Sequence, residues 1–267
     1  MTSLHNAQGG NKMKIRLLIY TGILALMLNL VSCDLRVQKD LGECIDTGLQ
    51  SDTILGATED MGDEYIDSLI FVGESTTYHM KARGVLKGGK KTRQVWSPEC
   101  GTINLDMSTT ALDIIYPETN EKMTIAEAAR RSKPQFMIFT FGLNGAVQNI
   151  RRGEEYYKRC YRALLLSVRE ASPKTKMIIQ AAPPIAKDMD MSNYSIDAET
   201  LMEHINTINS WSLSLAKELG VRYLNTAEVL MGADGFLVPE FDVGDGHHLS
   251  TAAYTEMLGY IRTHGYK

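Results

Sequence analysis

Short apolar runs and amphipathic segments alternate along most of this chain. The first run, Ser68-Leu-Ile-Phe-Val-Gly73, stops at a glycine, and Ser75 then opens an amphipathic stretch to about Leu86. That pattern predicts a buried strand, a tight turn and a helix. Gly88-Gly89-Lys90-Lys91 reads as a solvated turn before a short second strand at Arg93–Ser97. Gln135–Gly142, bounded by Pro134 and Gly142, is the most hydrophobic run beyond the N-terminus. It has no polar alternation, as expected of a central strand covered on both faces. Lys176–Ala182, halted by Pro183-Pro184, and Val221–Asn225 complete a set of five strands.

Helical spacing fills the intervals. Thr124-Ile-Ala-Glu127 has the form of a capping box, opening a helix that ends before Pro134. A second helix covers about Gly153 to Ala171. Asp197 caps a long third, in which Leu201, Ile205, Ile208, Trp211, Leu215 and Leu219 step by three and four. Ser250 caps the closing helix, to about His264. Pro98–Lys122 has no clean period, and a connection that long is either functional or hides a short helix. Strands alternating with helices imply a parallel sheet covered on both faces. The expected fold is a three-layer α/β/α sandwich with a central parallel sheet of about five strands.

The N-terminus changes the picture. Lys14 and Arg16 precede Leu17–Val31, an apolar stretch interrupted by Thr21, Gly22 and Asn29. This is a signal-peptide pattern, too short for the ~20 residues of a spanning helix. It ends Leu30-Val31-Ser32-Cys33, which resembles a bacterial lipobox, so Cys33 is expected to be lipidated and to become the mature N-terminus. Translation starts at Met1 or Met13. Residues 1–32 are then the signal, 33–65 a polar tether and lead-in, and 66–267 the folded domain. The only expected membrane attachment is the lipid, on the extracytoplasmic side. Removing the three basic residues of 1–32 leaves 25 basic and 32 acidic residues, a charge of −7. With no basic run, this argues against nucleic acid as a partner. Cys44, Cys100 and Cys160 allow one disulfide whose pairing stays open, and no C-x-x-C pair suggests a metal.

Three short motifs fall just past strands or in the last loop: Gly73-Glu74-Ser75, Gly142-Leu143-Asn144 and Asp245-Gly-His-His248. Alone, Ser75 is equally a helix cap, and Asn144 and Asp245 are ordinary turn residues. Together they supply what acyl transfer needs: a hydroxyl nucleophile, an imidazole to take its proton, a carboxylate to orient the imidazole, and donors for an oxyanion. His248 is the base rather than His247, because it stands three residues after Asp245. His79 reads as a partly buried helix histidine, and a metal at Asp242 and Asp245 lacks further ligands.

On these blocks residues 66–264 resemble the SGNH (GDSL-type) hydrolase family, whose fold is flavodoxin-like. The resemblance implies Ser75, Asp245 and His248 as the triad. It also implies an oxyanion hole of the Ser75 N–H, a second-block glycine matched by Gly101, and Asn144. Gly88 and Gly89 precede the second strand and match less well. Two positions depart from the family pattern: Glu74 stands for Asp, and Gly145 for the Asp after Asn144. Thr77 in place of a second glycine separates the chain from the α/β-hydrolases. The expected activity is a serine esterase removing small acyl groups, acetyl foremost, from surface or environmental glycans, with no metal or organic cofactor. The alternatives are acyl transfer to a sugar hydroxyl by the same triad, or a catalytically silent glycan-binding lipoprotein.

Overall fold

The computed structural model describes residues 53–267; the expected signal, Cys33 and Cys44 lie outside the described residues. The order of elements is α1 (Gly62–Asp67), β1 (Leu69–Gly73), α2 (Ser75–Ala82), β2 (Val95–Trp96), β3 (Asp113–Ile115), β4 (Lys122–Thr124), α3 (Ile125–Ser132), β5 (Phe136–Thr140), α4 (Ala146–Arg152), α5 (Glu154–Ala171), β6 (Lys176–Gln180), α6 (Ala198–Leu219), β7 (Arg222–Leu224) and α7 (Thr251–Thr263). Five strands form one parallel sheet in the order β2-β1-β5-β6-β7. The expected strands and the three-layer architecture are therefore present.

Side-chain alternation divides the sheet between two cores. Val72, Met137, Phe139, Met177, Ile179 and Tyr223 join the core under α3, α5 and α6. Leu69, Phe71, Val95, Phe136, Ile138, Ile178 and Leu224 join the core under α1, α2 and α7. All five residues of β5 are buried, which is why its sequence shows no polar alternation. The three expected caps form: Thr124 accepts from the Glu127 N–H, Asp197 from Thr200 and Ser250 from Ala253.

Three segments add detail to the expectation. Residues 53–67, the end of the expected lead-in and the start of the domain, are packed. Thr53 and Leu55 exchange backbone hydrogen bonds with Tyr223, adding to the β7 edge, and Tyr65 and Ile66 of α1 are buried. The aperiodic 98–122 stretch holds a short helix, one of the two readings open for it. It contains a 3₁₀ turn at Thr109–Ala111 and leads through the antiparallel pair β3–β4, which covers Ile114 and Met123. The seven-residue α4 precedes the expected start at Gly153, which is the break between α4 and α5. Among the described residues Cys100 (exposed) and Cys160 (buried) are free and not paired with each other.

The site's position follows from strand order. Helices leave β1 and β5 toward opposite faces, and the crevice between those neighbours at their C-terminal ends is the topological switch point of a doubly wound sheet. Ser75 follows β1 and Asn144 follows β5.

Candidate active site

The turn from β1 into α2 presents Ser75. Gly73 pairs with Thr140 in the β1–β5 register, and a Cβ there would lie 2.5 Å from Thr77 Oγ1 and closer still to the Thr140 carbonyl. Only glycine allows the two strand ends and the helix start to meet so closely. The N-cap of α2 is Glu74, not Ser75. Ser75 is the first helical residue, so its N–H lacks an intrahelical acceptor and its hydroxyl is free of capping duty.

That hydroxyl lies 3.0 Å from His248 Nε2. His248 Nδ1 lies 2.8 Å from Asp245 Oδ2, and Asp245 Oδ1 accepts from the backbone N–H groups of His247 and His248 at 3.1 and 2.9 Å. Burial opposes ionisation of Asp245, but the His248 ring and these two N–H groups outweigh it and bring the carboxyl down to about 2. An ionised carboxylate only accepts. The ring therefore carries its proton on Nδ1, and Nε2 is left as the acceptor for the serine proton. The three expected triad residues meet in the order the chemistry requires.

The loop carrying Asp245 and His248 is held from several sides. Asp242 accepts from the Gly246 N–H with both carboxylate oxygens, at 3.0 and 3.1 Å, and pairs with Leu249 in an antiparallel bridge. The Gly246 carbonyl accepts from the Ala186 N–H at 2.8 Å. Asp242, first weighed as a metal ligand, is thus a loop clamp. Asp245, His247 and His248 place possible ligand atoms within 4.8 Å of one another. A cation held there would compete with Ser75 for His248.

His79, one turn after Ser75, packs its ring 4.3 Å from that of His248, with His247 at 4.1 Å on a second contact. Burial, then the neighbouring His248 and Arg83, push its pKa down. It is the partly buried helix histidine expected, and its ring also touches that of His248.

The oxyanion side is built from the loop after β5. Asn144 Nδ2 donates to Thr102 Oγ1 at 3.0 Å, which fixes the amide plane and leaves the second amide hydrogen for a ligand. Thr102, in an aperiodic loop, carries no sequence signal. Its neighbour Gly101 does not fill the expected role. The Gly101 N–H closes a turn onto the Pro98 carbonyl at 3.0 Å, and its φ of +79° places it against the Tyr78 ring. The expected donors thus reduce to the Ser75 N–H and the Asn144 amide.

Glu74 organises this loop. It is 1% exposed, and its carboxyl accepts from the N–H groups of Gly142 (Oε1, 2.9 Å), Leu143 (Oε2, 3.1 Å) and Asn144 (Oε2, 3.0 Å). Burial pushes it up to about 7, against the opposing pull of those three donors. The residue before the nucleophile thus ties the β1 turn to the oxyanion loop. Gly142, at φ +139°, lets that loop leave β5, where a Cβ would lie 2.7 Å from Ile208.

No family model and no curated protein matches the sequence. Solved structures do match. A protein from Streptococcus pneumonia named for platelet activating factor superposes with a TM-score of 0.50 at 15% identity, over 89% of this chain and 97% of that one. A GDSL-like lipase from Bacteroides thetaiotaomicron gives 0.46 at 14% identity (77% and 90%). The aryl esterase of M. smegmatis gives 0.43 at 15% identity (73% and 95%). At these identities the likeness is one of fold. The chemical reading rests on the side chains of this chain.

Proposed function

We propose that this chain is a serine esterase of the SGNH type, acting through an acyl-Ser75 intermediate on small acyl esters of glycans, acetyl foremost. The observation that carries the reading is the continuous hydrogen-bonded line from Ser75 Oγ through His248 to Asp245, at the sheet's switch point and beside the Asn144 amide. Ser75 Oγ attacks the ester carbonyl as its proton passes to His248 Nε2, and Asp245 stabilises the imidazolium. The carbonyl oxygen, now negative, accepts from the Ser75 N–H and Asn144 Nδ2. The C–O bond to the alcohol breaks, and His248 returns its proton to the departing oxygen. Water, deprotonated by the same nitrogen, then releases the free acid and restores Ser75.

Hydrolysis and transfer share the acyl-enzyme and differ in what attacks it. With an acetylated oligosaccharide and excess unacetylated sugar, hydrolysis yields free acetate equal to the ester consumed. Acetylated acceptor without matching acetate would sink the hydrolase assignment in favour of the transferase.

The Lys14–Cys33 pattern supports an extracytoplasmic, lipid-anchored location. Cys33→Ser is expected to move the protein from the membrane fraction to the soluble fraction and to abolish labelling by a fatty-acid probe. An unlabelled wild-type protein would remove the anchor from the proposal.

A further inference from the structure

Next to the Ser75–His248–Asp245 line lies a cleft of about 560 Å³, whose wall includes Asn144 and His247, the sequence neighbour of His248. An acetyl group needs only a fraction of that volume; 300–1,000 Å³ is the range of sites that hold a whole small ligand. The cleft is thus matched to the alcohol half of the ester. Its wall is mainly neutral and polar: Asn104, Gln148 and Asn193 present amides, Ser195 a hydroxyl, and Tyr194, 41% exposed, an aromatic face. Side-chain amides both donate and accept, which suits the adjacent hydroxyls of a sugar.

Arg151 breaks that neutrality. No carboxylate lines the cleft, and among the described residues Arg151 makes no ion pair; its guanidinium approaches Ser195 Oγ at 3.4 Å. Its neighbour Arg152 is engaged with Tyr156, by a 2.6 Å hydrogen bond and by the guanidinium over the ring at 4.7 Å. Both arginines lie in the last turn of α4, where the helix dipole favours a cation. Arg151 is exposed at the cleft mouth, so its guanidinium is hydrated and open to an incoming anion. In a chain with more acidic than basic residues, an unneutralised arginine facing a binding space is a ready partner for an external anion.

Resting on the esterase reading, we infer that the substrate is an O-acylated oligosaccharide bearing an anionic group on its alcohol portion, which Arg151 binds while the acyl group lies over Ser75. Carboxylate and phosphate share the chemistry a guanidinium recognises, so the test carries both. Initial rates are measured on an acetylated uronic-acid oligosaccharide, an acetylated sugar phosphate, an acetylated neutral xylo-oligosaccharide and 4-nitrophenyl acetate. The wild-type protein is expected to prefer one of the anionic esters over the neutral oligosaccharide, and that preference should shrink as salt is raised.

In Arg151→Gln the anionic-to-neutral ratio of kcat/KM is expected to fall about tenfold or more, chiefly through KM, and its salt dependence to flatten. Arg151→Lys should keep part of the preference, which separates a charge contact from a general disturbance of α4. If the wild type cleaves 4-nitrophenyl acetate but does not favour either anionic ester, or if Arg151→Gln leaves the ratio and its salt dependence as they were, the inference is overturned and the esterase reading stands. If no ester, the aryl ester included, is cleaved, both fall together.

Discussion

Ser75→Ala is expected to lower kcat/KM for any accepted ester by about 10⁴-fold or more, with little change in folding stability. The magnitude follows from the kind of loss: a nucleophile removed from a triad takes the covalent route with it, and residual rate comes from binding and oxyanion stabilisation alone. The small effect on stability follows from the structure. Glu74 rather than Ser75 caps α2, and the serine hydroxyl pairs with His248 Nε2. No helix cap is lost, and only one part-buried hydrogen bond disappears, worth about 1 kcal/mol. A fluorophosphonate probe gives the direct reading: the wild type is labelled on Ser75 and Ser75→Ala is not. An unlabelled wild type would count against nucleophilic catalysis and favour a silent binding protein on this fold, whereas equal labelling of both would place the nucleophile elsewhere.

The sequence carried the sheet well because each strand sits between two cores. Phe136–Thr140 must be apolar on both faces, so it is visible as a run, and its neighbours at Leu69–Gly73 and Lys176–Gln180 are visible for the same reason. The hydrogen-bonded line of Ser75, His248 and Asp245 was legible because its members follow a strand end or precede a capped helix, so few placements of Ser75 and His248 were open. Elements stabilised by contacts rather than by pattern were not legible. The β3–β4 pair has three residues in each strand, too few to show a period. The seven residues of α4 lie between Gly145 and Gly153, both at positive φ, and read as connection. At the site, Gly101 met the requirement for a glycine after the second strand, but where an N–H points is decided by the local turn, and here it points to Pro98. Thr102 and Arg151 act through neighbours far along the chain, Asn144 and the 193–195 loop, and nothing local marks them. Glu74 was visible as a departure. Its consequence was not, because that depends on its carboxyl reaching three N–H groups some seventy residues away.

Removing that carboxyl is therefore the second large perturbation. Glu74→Ala leaves the N–H groups of Gly142, Leu143 and Asn144 without their acceptor in a buried position. An unsatisfied buried donor costs about 1–3 kcal/mol, so a loss of several kcal/mol is expected, together with a lower kcat because the loop that carries Asn144 is no longer tied to the turn that carries Ser75. Glu74→Asp restores the charge but withdraws it by one carbon–carbon bond, about 1.5 Å, too far to keep contacts of 2.9–3.1 Å. It should recover little of either loss, which separates reach from charge. Glu74→Gln keeps the length and reports on the proton. The carboxyl stands at about 7 in the folded chain against 4.5 as its ordinary value, so between those limits the native state holds a proton that the unfolded chain has released. Stability must then fall as pH rises from about 4.5 to 7, by an amount on the order of 3 kcal/mol, and change no further from this group above that window. Denaturant unfolding of wild type and Glu74→Gln across pH 4–8 measures the difference directly. The wild-type curve should slope downward relative to that of the variant; parallel curves would mean that Glu74 is ionised throughout and acts only as a fixed acceptor.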